Sequence, residues 1–179
     1  ELNAGMPAAG ANTFLFGMLT STTGIELNSV ECASESDRLT NLAGGFIDIG
    51  VVGVGNAQEY EKAGKLKVIG TVSSDGTTIS KYPEALPDNY KTLQEQGFDD
   101  CVMSIYHYLL GPAGMDETMV ANMNAAMKAV CEDETVSAGI AGIGNIPGWH
   151  DLAESKEIHD EEYAQFAEIA KELDMFVQE

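Results

Sequence analysis

The feature that most restricts the fold is an alternation. Short apolar runs take turns with segments whose apolar residues recur at helical spacing, and glycines punctuate the joins. The stretch GGFIDIGVVGVGN, residues 44–56, is the clearest unit. Its run Ile47–Val54 is apolar except for Asp48 and the glycines, which predicts a strand covered on both faces. Before it, the spacing predicts a helix over 11–23 with Phe14, Leu15, Met18 and Leu19 on one face. Asn12 or Thr13 starts that helix and Gly24 stops it. A short strand at Ile25–Val30 follows. A second helix is capped by Ser34 or Ser36, turns Leu39, Leu42 and Ala43 inward, and ends at Gly44-Gly45. After the central run, Asn56 and Glu59 read as a capping pair for a helix that ends at Gly64. Leu66–Val72 reads as a further strand. Continuous apolar strands between helices mean an α/β fold with a mainly parallel sheet flanked by helices. In such sheets ligands sit at the carboxyl ends of the strands, beside helix N-termini.

Beyond residue 72 the texture changes. Residues 73–91, with Pro83 and Pro87, read as a long surface connection. Thr92 and Glu95 cap one helical turn closed by Gly97, and Cys101–Leu110 is β-rich up to Gly111-Pro112. Asp116 then caps a helix whose stripe Met119, Val120, Met123, Met127 and Val130 is assigned to the core by its spacing. A shorter helix covers Thr135–Ile143. The last helix begins near Ser155, with Tyr163, Phe166, Ile169, Ala170, Leu173 and Phe176 as its buried face.

Charge narrows the function. The 29 acidic residues outnumber the 9 basic ones, giving a formal net of −20. Phosphate neutralisation needs basic clusters, so no nucleic acid and no anionic membrane surface is expected as partner. Arg38 is the single arginine. An anion bound here must therefore be held by main-chain N–H groups and helix N-termini rather than by a guanidinium clamp. The loop MPAAGANT, residues 6–13, offers such a place: small side chains let a ligand approach the backbone, and Asn12 and Thr13 can add hydrogen bonds. An ordinary capped helix start fits the same residues.

Catalytic and metal signatures are weak. Cys32, Cys101 and Cys131 match no zinc or redox spacing, and Cys131 falls on an apolar helix face as a buried thiol. His107, His150 and His159 are scattered, with no zinc motif and no nucleophile elbow. Gly50, Gly53 and Gly55 approach a dinucleotide fingerprint but lack its third glycine, while Asp75 stands at the distance of a ribose contact. These residues do not exclude an enzyme but argue for none, and no cofactor or metal is expected. A nucleotide-binding α/β enzyme and a ligand-sensing protein stay as alternatives.

Motif order adds a resemblance. Thr23-Gly24-Ile25, the loop Val30–Ser36, Leu42–Gly50 as L-x-G-G-x-x-D-x-G, KAGKLKVIG at Lys62–Gly70, TLQEQGF at Thr92–Phe98 and GPAG at Gly111–Gly114 follow one another along the chain. In this order they resemble the solute-binding receptors of tripartite tricarboxylate transporters, the Bug-type periplasmic binding proteins. The resemblance implies two α/β lobes closing on a dicarboxylate-like ligand. Residues 1–105 would be the second ligand-binding lobe. Residues 106–179 would be a crossing segment and helices returning to a first lobe whose amino-terminal part lies outside this sequence. The apolar faces of 116–131 and 158–176 would then be uncovered, and self-association is expected. The implied function is extracytoplasmic, in the periplasm or outside the cell, with any targeting signal upstream of Glu1. A small organic acid would be captured and delivered to membrane transporter subunits. The implied site is Ala9, Gly10, Ala11, Asn12 and Thr13 around one carboxylate, with Ser34 and Asn56 facing the same cleft. Asp48 would organise loop N–H groups or partner a ligand ammonium. The family's Ser or His in the first loop is replaced by Ala8, Ala9 and Ala11, and its Pro-Tyr by Glu31-Cys32. An amino-acid-like ligand, a neutral acid derivative or a metal-bridged carboxylate would relieve the added negative charge.

Overall fold

Three parallel strands organise the first half of the chain in the computed structural model, which describes residues 1–72 and 90–172. The central strand, β1, is Leu2–Met6. Helix α1 (Ala11–Thr23) leads to β2 (Leu27–Glu31), and α2 (Glu35–Gly44) leads to β3 (Ile49–Gly50) and α3 (Val54–Lys62). The order is β2-β1-β3. Leu2 pairs with Leu27 and Met6 with Glu31, while Ala4 and Gly5 pair with Ile49 and Gly50.

Alternation along β1 sorts the two faces. Ala4 and Met6 pack with Phe16 of α1, and Leu19, Leu27, Ile49 and Val51 close around them. Gly5 looks the other way. A Cβ there would lie 2.3 Å from Ile47 Cδ1 and 3.6 Å from Arg38 Cγ, so only glycine lets α2 and Ile47 settle on the strand. Leu42 Cδ1 presses on Gly50 in the same way, 3.2 Å from its would-be Cβ. Helices therefore cover both faces, as the apolar strands require. The chain leaves β1 toward β2 on one side and returns to β3 on the other. The carboxyl ends of β1 and β3 thus flank a topological switch point.

Several expected elements differ. β3 is two residues long, and Val51–Gly53 already turns toward α3. Asn56 lies inside α3, whose N-cap is Gly53, so it does not start the helix. Leu66–Val72 is no strand; Thr71 makes one bridge, to Thr92. Cys101–Leu110 forms no ladder. An apolar run predicts burial, but a strand also needs a neighbour for its N–H and C=O groups, and beyond the Thr71–Thr92 bridge none pairs with these runs among the described residues. The connection at 73–91 falls, apart from Tyr90 and Lys91, outside the described residues, as do Asp75, Leu173 and Phe176.

The second half is helical. Thr92 and Glu95 bond reciprocally around a short 3-10 turn, Gln94–Gln96, ended by Gly97 at φ 92°. Helix α4 (Glu117–Glu132) is capped by Asp116 and α5 (Glu134–Gly142) by Asp133. Helix α6 (Leu152–Glu172) begins three residues before the expected Ser155, where Asp151 accepts from the N–H groups of Ala153 and Glu154. Neither α4 nor α5 buries a residue. Met119, Met123 and Val130, expected in the core, are exposed, Tyr163 is 70% exposed, and Cys131 is half-buried. No described element lies over these faces. The turn after α5 reaches the first half at Ile143 and Gly144, which lie against Gly55 of α3, and the end of α6 does so where Phe166 stacks on Phe14 at 5.0 Å and Ile169 joins Met18 and Cys101. Burial there pushes the Cys101 thiol above its ordinary pKa.

Candidate functional site

The turns that follow the three strands share one edge of the sheet. Each turn opens a helix, and the three openings differ in how their amides are satisfied. At α2, Ser34 forms a capping box: its hydroxyl accepts from Asp37 N–H at 3.1 Å and its own N–H donates to Asp37 Oδ2 at 3.1 Å. The Asp37 carboxyl is held below its ordinary range by the Ser34 hydroxyl and then by the Ser34 N–H. At α3 the anion comes from another helix. Glu35 Oε1 accepts from Gly53 N–H at 3.1 Å and from Asn56 Nδ2 at 2.7 Å. A Cβ on Gly53 would stand 3.3 Å from that oxygen, so the glycine lets the carboxylate lie against the backbone.

At α1 no anion is supplied. Its N-cap is Gly10, at φ 136°, with no side-chain cap and no acidic residue in the first turn. Thr13 N–H and Phe14 N–H fold back to the Gly10 carbonyl at 3.0 and 3.2 Å. The Thr13 hydroxyl donates to Pro7 O at 2.8 Å and closes the loop, so its proton serves the loop's shape. The N–H groups of Ala11 and Asn12 find no acceptor among the described residues. Ala8 and Ala9 are exposed, and Gly10, Ala11 and Asn12 are half-exposed. This entrance is open, uncharged and aimed outward, and it stands at the switch point.

Arg38 explains how the edge is held. It is only 7% exposed. Its Nε donates to Val51 O at 2.7 Å and its Nη1 to Cys32 O at 3.2 Å. One guanidinium thus ties the turn after β2 to the turn after β3 across the end of β1. Both carbonyls are drawn toward the cation, and the guanidinium is not presented to a ligand.

The structure therefore brings Ala9, Gly10, Ala11, Asn12, Thr13, Ser34 and Asn56 to one edge. It places Asp48 at the other end of the strands. There Asp48 Oδ2 accepts from Asn3 N–H at 2.8 Å and Asp48 N–H donates to Asn3 O at 2.8 Å. Asn28 Nδ2 extends this ladder to Asn3 Oδ1. Sequence reasoning missed Glu35. An acid in the first turn of a capped helix was visible, but its span to Gly53 depends on the strand order. The geometry also bears on the nucleotide alternative: at Gly53-Val54-Gly55 the Gly53 amide is taken by Glu35, and Ile143 O lies 3.1 Å from where a Gly55 Cβ would be, which crowds the place of a pyrophosphate.

A separate space of about 1790 Å3 runs between the β3 edge and the later segments, walled by groups such as Val52, Ile69, Leu109, Leu110, Met123 and Trp149. It is largely apolar and open, and neither the α1 entrance nor Ser34 lines it. Its lining also holds polar groups, among them Asp48, Lys65, Tyr106, His107 and His150. Among the described residues no cluster of three or more His, Cys, Asp or Glu side chains could hold a metal. Among them no helix is long and apolar enough to cross a membrane.

Residues 3–175 match the family described as the tripartite tricarboxylate transporter family receptor, TctC. A protein of Agrobacterium vitis, the UPF0065 protein in the TAR-I ttuE-ttuC' intergenic region, is 25% identical over 168 residues, 93% of this chain and 46% of its own length. Among solved structures, R. palustris Rpa4515 with adipate superimposes with a TM-score of 0.78 at 19% identity, over 96% of this chain and 55% of that one. A structure described as a periplasmic transporter gives 0.72 at 16% identity, over 97% and 55%. A TctC solute-binding protein from Polaromonas, without ligand, gives 0.64 at 14%, over 98% and 58%. The chain spans about half the length of these proteins. The α/β lobe is thus shared with periplasmic binding proteins. Because the family match runs from β1 past the end of α6, the chain belongs to the tripartite tricarboxylate transporter receptor family, TctC.

Proposed function

We propose that this chain is the second ligand-holding lobe, residues 1–105, with the return segment, residues 106–179, of an extracytoplasmic receptor. The receptor captures a small organic acid and hands it to membrane transporter subunits. It works by lobe closure and not by chemistry. The observation that carries this reading is the α1 entrance: free amides of Ala11 and Asn12, no neighbouring carboxylate, at the switch point of a parallel sheet. One ligand carboxylate accepts those N–H groups, and the positive end of α1 stabilises its charge. With no guanidinium offered, binding stays weak enough for release to a transporter. The adipate named with the R. palustris structure fits this class of ligand. The nucleotide-enzyme reading is disfavoured by Glu35 bonded to Gly53 in the glycine-rich turn after β3.

Calorimetric titration of the full-length receptor tests the proposal. Straight-chain dicarboxylates, their amino and hydroxy derivatives, NAD and ATP form the panel. Binding of at least one acid with no heat from either nucleotide is the expected result. Tight nucleotide binding with no acid bound would overturn it.

The exposed faces of α4 and α6 belong to the same proposal. They are the surface that the first lobe covers in the whole receptor. A chain without that lobe is expected to self-associate through them.

A further inference from the structure

Residues 101–110 are fastened to α6 by side chains. The segment forms no ladder, yet Gln165 Nε2 of α6 donates to Val102 O at 2.9 Å and the Tyr108 hydroxyl donates to Glu162 at 2.5 Å. The rings of Tyr106 and Tyr108 lie together, with centroids 6.5 Å apart. Each meets an imidazole edge to face. Tyr106 meets His150 at 6.1 Å with the ring planes 77° apart, and Tyr108 meets His159 at 5.9 Å and 83°. Both imidazoles have built seats. Trp149 Nε1 donates to Asn124 O of α4 and Asn124 Nδ2 donates to His150 O, each at 3.3 Å, while His159 rides on α6. The far end of α6 is packed into the first half through Phe166 and Ile169. One helix thus carries both an anchor and the contact with the two tyrosines.

We propose that this contact is a pH-sensitive latch: Tyr106 and Tyr108 hold the 101–110 segment on α6 more tightly once His150 and His159 take up protons. An imidazole gains its charge as pH falls from about 8 to about 5. A cation beside the negative face of a tyrosine ring is attracted to it. The surrounding charges act in the same sense. His150 Nδ1 stands 3.8 Å from Glu154, with Asp151 next in the chain. His159 Nδ1 stands 3.4 Å from Asp160, and Glu162 accepts from the tyrosine that faces it. The nearby cations have partners of their own: Lys128 of α4 lies over the Trp149 ring at 4.9 Å and pairs with Glu132, and Lys156 pairs with Asp160. His107, between the two tyrosines, is exposed and makes neither ring contact. The latch is therefore tight on the acid side and loosens as pH rises. It goes beyond the receptor reading and stands without a ligand. For a receptor, the consequence is a stiffer crossing segment in an acidic medium.

Limited proteolysis of the 179-residue chain in dilute solution tests it, with thermolysin cutting before Ile105, Leu109 and Leu110 compared at about pH 7.5 and about pH 5.5. Rates are divided by those for a free peptide of residues 101–114, which removes the protease's own pH dependence. In the native chain the normalised rate is expected to fall about fivefold at the lower pH, the product of two exposed cation–ring contacts. His150→Gln combined with His159→Gln should lose this fall, each single variant should keep part of it, and His107→Gln should keep all of it. Tyr106→Leu combined with Tyr108→Leu should be cut fast at both pH values. Matched melting temperatures at about pH 7.5, where an imidazole is mostly neutral, check that the glutamine variants fold, and the single variants decide the matter if the double one does not. No fall in the native chain would overturn the latch. An equal fall in the double histidine variant would overturn it in favour of general relief of the net charge. Loss of the fall in His107→Gln alone would overturn the assignment to the two ring pairs.

Discussion

The two halves of the molecule solve burial differently. In the first, β1 is closed on one face by Phe16 and Leu19 of α1 and on the other by Ile47, Leu42 and the stem of Arg38. In the second, α4 and α5 carry caps and periodic apolar stripes yet bury nothing, and Leu110 is 85% exposed. Helix caps and spacing make a helix; they do not supply the surface it packs on. The difference teaches that the first half is a layered unit with its own core, while the second leaves its helix faces open.

The sharpest way to break that comparison is a pair of truncations. Phe16→Ala should cost about 3–5 kcal/mol in denaturant unfolding, because it empties a closed core. Met123→Ala should change stability by no more than about 0.5 kcal/mol, since the side chain is already exposed. Equal losses would mean that α4 has a covered face. The same surface predicts association: sedimentation should show concentration-dependent oligomers of the 179-residue chain, dispersed by combining Met119→Glu with Met123→Glu. A monomer at all concentrations would contradict the uncovered-face account.

A smaller effect separates the halves by pH. Tyr90 donates to Glu61 of α3 at 2.5 Å, and burial followed by that bond pushes the phenol from its ordinary value near 10 up to about 12. Its contribution to stability is full below the unfolded value and is lost as pH rises through about 12. Glu61 runs the opposite way. Its carboxyl is held low by the Tyr90 hydroxyl and the Val68 N–H, so its contribution is present above the ordinary carboxylate range and is lost as pH falls through the depressed value. Tyr108 donates to Glu162 of α6 at 2.5 Å and is also raised, by burial first. Melting temperature against pH should therefore lose part of both limbs in Tyr90→Phe. In Tyr108→Phe it should lose part of the alkaline limb, with a smaller change because α6 is less enclosed. Identical profiles for the two variants and the native chain would remove this distinction.

What the sequence showed follows local chemistry in both halves. Helices α1 and α2 were legible because their ends carry local chemistry: Gly24 and Gly45 take φ of 70° and 71° after the last turn, and Ser34 builds its box with Asp37. Strand β1 was illegible. LNAGM has no alternation to speak of, and its strand state comes from β2 and β3 on either side. Leu66–Val72 and Cys101–Leu110 read as strands because apolar runs report burial without naming a partner. The loop Ala9–Thr13 stood out by its small, uncharged residues. The bond from Glu35 to Gly53 could not, since only the order β2-β1-β3 brings those turns to one edge. Asp48 shows the same limit: which end of a strand a residue occupies is unknown until the register is.

The central claim is that main-chain amides at an uncharged α1 entrance hold the ligand's carboxylate. The most direct measurement places a carboxylate there. Ala11→Asp in the full-length receptor should weaken acid binding by at least about tenfold in calorimetric titration, because the new anion competes for the Ala11 and Asn12 amides and repels the ligand. Its melting temperature should hold or rise slightly, as an acid in the first turn favours a helix. Undiminished affinity in a folded Ala11→Asp receptor would contradict the account.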